Sequence, residues 1–226
     1  MLNELKFMIL AIETATNVCS VAFKDRDGNV NEKRLEKHGS HSEKLFLFIE
    51  ELMNEHNFSI SNLDAVLISE GPGSYTGLRI GASAVKGLLF QTEVPLYAIN
   101  TLASFAVQTT CVVPDVKRIH SIIDARRVHV YHQQFNNNGE SLKAVDEVEV
   151  IPIEEFETLV KEGDVIIGTG LKRLSKNVLE KTQTYGIAAI SAKSLIVLYE
   201  KGLTDFCQQA NPETFDPKYY TSNQVQ

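Results

Sequence analysis

Three cysteines among 226 residues, Cys19, Cys111 and Cys207, are odd in number and widely spaced. That argues against a disulfide framework and for a reducing compartment, so a cytoplasmic location is expected. Long apolar runs are missing as well. A membrane-spanning helix needs about 20 consecutive apolar residues, whereas the opening MLNELKFMILAIETAT is cut short by Glu13 and carries neither a charged n-region nor a small-residue cleavage pattern. It reads as a first strand, and no membrane role is expected. Positive charge is in deficit: 22 Lys and Arg against 29 Asp and Glu leave a net charge of −7, which repels phosphate backbones, and no basic run offsets it. Nucleic acid would have to be reached through a basic partner or a local patch, and no such patch is visible.

Catalytic signatures are equally thin. Ser74 lies in G-P-G-S-Y-T-G, which is not the G-x-S-x-G nucleophile elbow, and the stretch lacks the Lys of a G-x-x-x-x-G-K-[ST] phosphate loop. His38 and His41 are three apart near the start of a predicted helix, but Leu45 stands where a helical i, i+4 partner of His41 is required, and no Cys or acidic cluster completes a metal site. Both histidines are expected to be solvated or to cap the helix. His120, His129 and His132 have no matched spacing, and no metal or cofactor is expected.

What the chain does contain is organised around residues 64 to 91. The apolar run Asp64 to Ser69 has strand length, Gly71, Pro72 and Gly73 end it, and from Thr76 the apolar residues recur at helical spacing, with Ser74 or Thr76 as cap. Such a strand, glycine loop and helix can aim free N–H groups at a phosphate or carboxylate, or can be no more than a tight turn. Along the helix Gly77, Gly81, Ala84 and Leu88 form a mostly small stripe that admits a close backbone neighbour, from this chain or another. The preceding helix, His38 to Glu55, holds Leu45, Phe48, Ile49 and Leu52 on one stripe and Phe46 and Met53 off it, so it buries two faces, either within its own domain or against another subunit.

The rest reads as a duplication, the alternative being a coincidental pair of similar hairpins. Strands Phe7 to Ile12, Val18 to Phe23 and Val30 to Leu35 open the chain as a meander; Val94 to Ile99 is a strand and Thr101 to Thr110 a helix. Then RIHSIIDARRVHVYHQQFNNNGE repeats the opening pattern of a strand ending in an acid, a turn, a second strand and a glycine turn: Glu13 and Gly28 are 15 apart, and so are Asp124 and Gly139. Val145 to Ile151 (strand), Ile153 to Lys161 (helix), Val165 to Ile167 (strand), the Gly168-Thr169-Gly170 loop, Leu171 to Lys181 (helix), Gly186 to Ile190 (strand) and Ser191 to Lys201 (helix) follow, and a polar tail is anchored by Phe215, Tyr219 and Tyr220. The division is expected at 1–112 and 113–226. In a two-lobed fold of this kind the opening turns can hold phosphates and the acids Glu13 and Asp124 a metal ion. Neither Glu13-Thr14-Ala15-Thr16 nor Asp124-Ala125-Arg126 has the glycine that close backbone approach favours, and both acids can equally end their strands. The candidate anion loop therefore comprises Glu13, Thr14, Gly71, Gly73, Ser74, Thr76, Asp124, Gly168 and Gly170, in worn form.

ILAIETATNVCSVAF, HSEKLF, GPGSYTGLRIGASAVKGLLF and VPLYAINTLA, with IIDARRVHVYHQQF, IIGTGL and the proline-tyrosine tail behind them, resemble the bacterial TsaB (YeaZ) family. The resemblance implies an α/β fold of the actin, sugar-kinase and Hsp70 (ASKHA) type with duplicated mixed-sheet domains. It also implies a non-catalytic subunit required for forming threonylcarbamoyl on adenosine 37 of tRNAs reading codons that begin with adenine. Its implied partners are a paralogous TsaD subunit that holds the metal and the transfer chemistry, a TsaE-type ATPase in the larger assembly, and a second copy of itself when alone, with tRNA met only indirectly. The pairing surface it implies is the two helices, through Leu45, Phe46, Phe48, Ile49, Leu52, Met53, Gly77, Gly81, Ala84 and Leu88. Glu13 stands where the family commonly has Asp, and Pro217-Lys218-Tyr219-Tyr220-Thr221 lacks the Arg of the family tail. The rival expectation is a small-molecule kinase or ATPase of the same fold using Glu13, Asp124 and the two glycine loops; nothing in the residues supports a peptidase.

Overall fold

Ile9–Glu13 (β1) is buried at every position, so it must lie inside a sheet with both faces covered. In the computed structural model, which describes residues 7–37, 39, 41–139 and 141–221, it does. Val18–Lys24 (β2) pairs antiparallel with it, and Val30–Glu36 (β3) with β2, across the expected turns. Ala65–Gly71 (β4) lies parallel on the other side of β1, with Ile12 opposite Ile68. Leu96–Asn100 (β5) follows β4 in the sheet, and the helices of this part are His41–His56 (α1) and Tyr75–Leu88 (α2). The expected helix start at His38 and the alternative cap Ser40 lie outside the described residues.

The second sheet repeats the scheme. Arg118–Asp124 (β6) pairs antiparallel with His129–Asn137 (β7), which carries Leu142–Ala144 (β8) and Glu149–Pro152 (β9) on its far edge. Val165–Gly168 (β10) runs parallel to β6, and Gln183–Tyr185 (β11) parallel to β10. The strand order β3-β2-β1-β4-β5 of the first sheet thus matches β8-β7-β6-β10-β11 of the second. Both parallel neighbours end on a glycine in left-handed backbone, Gly71 at φ 119° and Gly168 at φ 131°.

The chain divides by its contacts differently from the expected cut at 112. Thr101–Val112 (α3) belongs with residues 100–190, while 191–217 return to the first unit. There Lys193–Glu200 (α6) covers β1 and β2, and Cys207–Ala210 (β12) pairs antiparallel with β5. Two side-chain bonds tie the returning segment in: Ala192 N donates to Ser20 Oγ (2.9 Å) and Ser191 Oγ to Glu32 (2.7 Å). Phe215 inserts into the first core beside Leu10, Phe23, Leu45, Leu52, Ile68 and Val85.

Three local expectations differ. The strand expected at Gly186 to Ile190 is a 3-10 turn at Ile187–Ala189, because the TQTY stretch before it, with two β-branched residues and an aromatic, supplies β11. The helix expected from Leu171 is split, since Ser175 caps a fresh start by accepting from Val178 N, leaving a 3-10 turn at Leu171–Arg173 and a short helix Lys176–Lys181 (α5). Val145 to Ile151 is not one strand: Asp146 turns away to accept Gln134 N at 2.8 Å, which separates β8 from β9. Ile153–Leu159 (α4) follows β9 and buries Phe156 in the second core with Ile122, Val130, Ile166 and Val178.

Candidate functional site

The turn after β1 is drawn against the start of α2. Ser74 N donates to Ala15 O at 2.6 Å, and Ser74 Oγ caps the helix by accepting Gly77 N. Any side chain on Gly77 would run into the Thr14 carbonyl, and a Cβ on Gly81 would sit 2.6 Å from Thr14 Oγ1. The small residues Gly77, Gly81 and buried Ala84 therefore admit β1's turn and the first core; they are not an outward stripe. Leu88 leans on the same core.

Several of the backbone groups that could cradle a phosphate here are already engaged. Ala15 N donates to Glu13 Oε1 (2.6 Å), Val18 N to Thr16 Oγ1 (3.2 Å) and Gly77 N to Ser74. Glu13 is fully buried, and that burial pushes its carboxyl up to about 7 against the opposing pull of Ala15 N–H and the Ser69 hydroxyl. Its Oε2 and Thr14 Oγ1 are buried without a partner. A carboxyl held this way is a poor cation ligand near neutrality, because the metal needs the ionised form that burial disfavours. Gly71 N donates to Thr101 Oγ1, Gly73 is half-buried, and Thr76 is exposed on the first turn of α2.

In the second unit the equivalent acid is occupied too. Asp124 Oδ1 accepts Arg126 N (2.8 Å) and is paired with Arg173, while Asp124 N donates to Thr169 Oγ1. Gly168 leaves no room for a Cβ against Ile122 O, and Gly170, at φ 89°, lies against Asp124. The structure thus gathers six of the nine candidate loop residues into two local turns, Glu13 and Thr14 with Ser74 in one and Asp124 with Gly168 and Gly170 in the other, and leaves Gly71, Gly73 and Thr76 outside both.

The helix pair is different. On α1, Leu45, Ile49 and Leu52 are buried in the first core and Phe48 and Met53 are half-buried against it, so only Phe46 of the expected interface residues is exposed, at 52%, with Leu47 beside it at 38%. On α2 the exposed line runs through Thr76, Ser83, Gly87 and, just past the end, Phe90, which is 64% exposed, while Ile80 between them is half-buried against the first core. Gly87 has open space where a Cβ would be. An outward stripe of small residues flanked by apolar ones therefore exists, one position before the line expected from the sequence. Tyr75, 54% exposed, stacks under Arg79, whose guanidinium carbon is 3.9 Å from the ring centre.

Two histidine expectations change. His41 is buried, with Nε2 at 3.1 Å from Val18 O, which makes it a tie between α1 and β2. His120 and His132, spread across two strands and so invisible to spacing, lie Nδ1 to Nε2 at 3.0 Å under Phe156, and His120 Nε2 reaches Asp164 (3.0 Å), which also grips Arg118 with both oxygens. Burial holds both imidazoles neutral, His132 down to about 3.

The family model described as TsaD, tRNA N6-adenosine threonylcarbamoyltransferase, matches residues 35–226. The tRNA threonylcarbamoyladenosine biosynthesis protein TsaB of Escherichia coli K12 is 32% identical over 168 residues, 72% of this chain and 71% of that one. The chain belongs to the TsaB family. YeaZ from Pseudomonas aeruginosa superposes with a TM-score of 0.75 at 24% identity, covering 95% of this chain and all of that one. The crystal structure of a protein with similarity to peptidase YEAZ, from the same organism, gives 0.78 at 24% identity over 94% and 99%. These likenesses show the fold, and with the repeated strand order they make it the actin, sugar-kinase and Hsp70 type. Among the described residues no helix is long and apolar enough to cross a membrane, and no group of three metal-ligating side chains is present.

Proposed function

We propose that this chain is the non-catalytic, activating subunit of a tRNA threonylcarbamoyladenosine transferase, acting in the cytoplasm, where its three cysteines stay free. It docks through α1 and α2 onto a paralogous TsaD-type subunit that carries the chemistry, with a TsaE-type ATPase in the larger assembly, and it uses the same surface for a second copy of itself when alone. The observation that carries this is apolar exposure: of ten exposed large hydrophobic side chains among the described residues, Phe46, Leu47, Tyr75 and Phe90 sit on or next to two helices that contact each other. Between them Ser83 and Gly87 let a partner helix approach closely. The closed turns at Glu13 and Asp124 support the non-catalytic half of the proposal.

The test replaces Ser83 and Gly87 by Trp. Both positions face outward, so the fold is expected to survive by circular dichroism while the complex with the TsaD-type subunit is lost on size-exclusion chromatography. A variant that still co-elutes with that subunit at wild-type affinity contradicts the proposed docking.

A further inference from the structure

The hairpin between β6 and β7 turns at Ala125, Arg126, Arg127 and Val128. Arg126 and Arg127 both hold left-handed backbone, φ 69° and 49°, and they are the only adjacent non-glycine pair among the described residues to do so. Glycine enters that region freely and asparagine more readily than other side chains, so two arginines are a poor local choice. The turn does not need them. Its frame is backbone and neighbours: Ala125 N to His129 O, His129 N to Arg126 O, Arg126 N to Asp124, and the Arg173 guanidinium bridging Asp124 and the Arg127 carbonyl. The side chains of Arg126 and Arg127 are exposed and, among the described residues, form no ion pair or side-chain hydrogen bond; the same holds for exposed Lys172, next to Arg173. Three uncommitted cations thus collect at one end of the second unit in a chain of net charge −7. Arg126-Arg127 and Lys172 are 45 residues apart along the chain, which is why no basic run was visible in the sequence.

A local rule broken without structural gain marks a position kept for another purpose. We propose that the Arg126-Arg127 tip, with Lys172, contacts the phosphodiester backbone of RNA. The proposal deepens the function above: the RNA is the tRNA being modified, and this subunit touches it directly. Planar guanidinium forks match phosphate oxygens two at a time, and holding them on a backbone-locked turn fixes their spacing. The contact is small. Glu154 and Glu155 open α4 next to the tip, where Ile153 N bonds Val128 O, and they confine the favourable field to the outer face of the turn. Asp124 is paired with Arg173 through Oδ1, and Glu157 is engaged by Ser175 N. No more than two or three phosphates are engaged, so the tip positions RNA held mainly by the catalytic partner.

The double substitution R126N/R127G removes the charges and relieves the backbone at once, which separates binding from folding. Fluorescence anisotropy with a labelled, unmodified tRNA transcript is followed across about 50 to 200 mM KCl for the complex with the transferase subunit, and for this chain alone at the low end. The variant is expected to melt no lower than wild type. Its salt dependence, log K against log of salt, should be shallower by about 1.4 to 1.8, with affinity roughly tenfold lower, as for two lost phosphate contacts. R126K/R127K should keep the wild-type slope. An unchanged slope in an intact complex overturns the inference and leaves the proposed function standing. Loss of the transferase complex instead of tRNA affinity also overturns it, assigning the tip to an acidic protein surface. Failure of the wild type to bind the transferase refutes the proposed function alone, because the loss of affinity in the double variant must still appear with the isolated chain at low salt.

Discussion

Replacing Glu13 by Gln probes the worn turn most sharply, because the geometry fixes both the size and the pH dependence of the effect. The folded carboxyl sits at about 7 against an ordinary 4.5, with desolvation the leading cause. A folded-state value above the unfolded one means that the native chain keeps a proton the unfolded chain has given up. Stability from this group is therefore full below pH 4.5 and declines as pH rises through 7. The gap of 2.5 corresponds to about 3 kcal/mol lost by pH 8 and above, at roughly 1.4 kcal/mol per unit. Gln keeps the acceptor for Ala15 N and never ionises, so it removes this slope. The chain has no tryptophan, so urea unfolding followed by circular dichroism is the suitable assay. Variant minus wild type should be near zero at pH 5 and favour the variant by about 2–3 kcal/mol at pH 8. A difference that is the same at both pH values refutes the burial argument. A wild-type slope that vanishes on adding magnesium would show that the carboxylate binds a cation after all.

The histidine pair in the second unit has the opposite sign. With His132 held at about 3, the unfolded chain takes up a proton below pH 6.5 that the folded chain refuses, so stability falls by about 2 kcal/mol between pH 6.5 and 5; His132→Phe should flatten that loss in the same unfolding series. Asp164→Asn leaves Arg118 and His120 facing an amide and should destabilise by about 1.5–3 kcal/mol, read as a lower urea midpoint. Gly77→Ala drives a methyl into the Thr14 carbonyl, and a loss of about 1–3 kcal/mol or more is expected by thermal melting, whereas Gly87→Ala, in open space, should melt at or above the wild type.

The duplicated plan was legible in the sequence because it rests on local signals: strands that end in an acid, turns closed by glycine, and glycine loops before helices. The pairing of β12 with β5 was not, since CQQA has no alternation to announce a strand and its partner lies more than 100 residues away. The cut at 112 missed α3 and the returning segment for the same reason: a helix that starts directly after β5 gives no linker, and the contacts that assign it to the second unit are long-range. On α2 the sequence reading followed one small-residue line, Gly77-Gly81-Ala84, and passed over Thr76-Ser83-Gly87 one position before it. Only the position of Thr14 against the helix tells which one is used internally. Leu45, Ile49 and Leu52 were legible as a stripe, but a stripe does not say whether its cover is intramolecular; here it is the first core.

The central claim, that this chain supplies a docking surface and no chemistry, is tested most directly by reconstitution. Unmodified tRNA is incubated with threonylcarbamoyl-adenylate, the TsaD-type and TsaE-type subunits and ATP, with or without this chain, and the modified adenosine is measured after digestion. The account predicts product only when this chain is present with the TsaD-type subunit, none from this chain alone, and none with the Ser83→Trp and Gly87→Trp variant. Product formed by this chain without the TsaD-type subunit, or formed equally well in its absence, contradicts it.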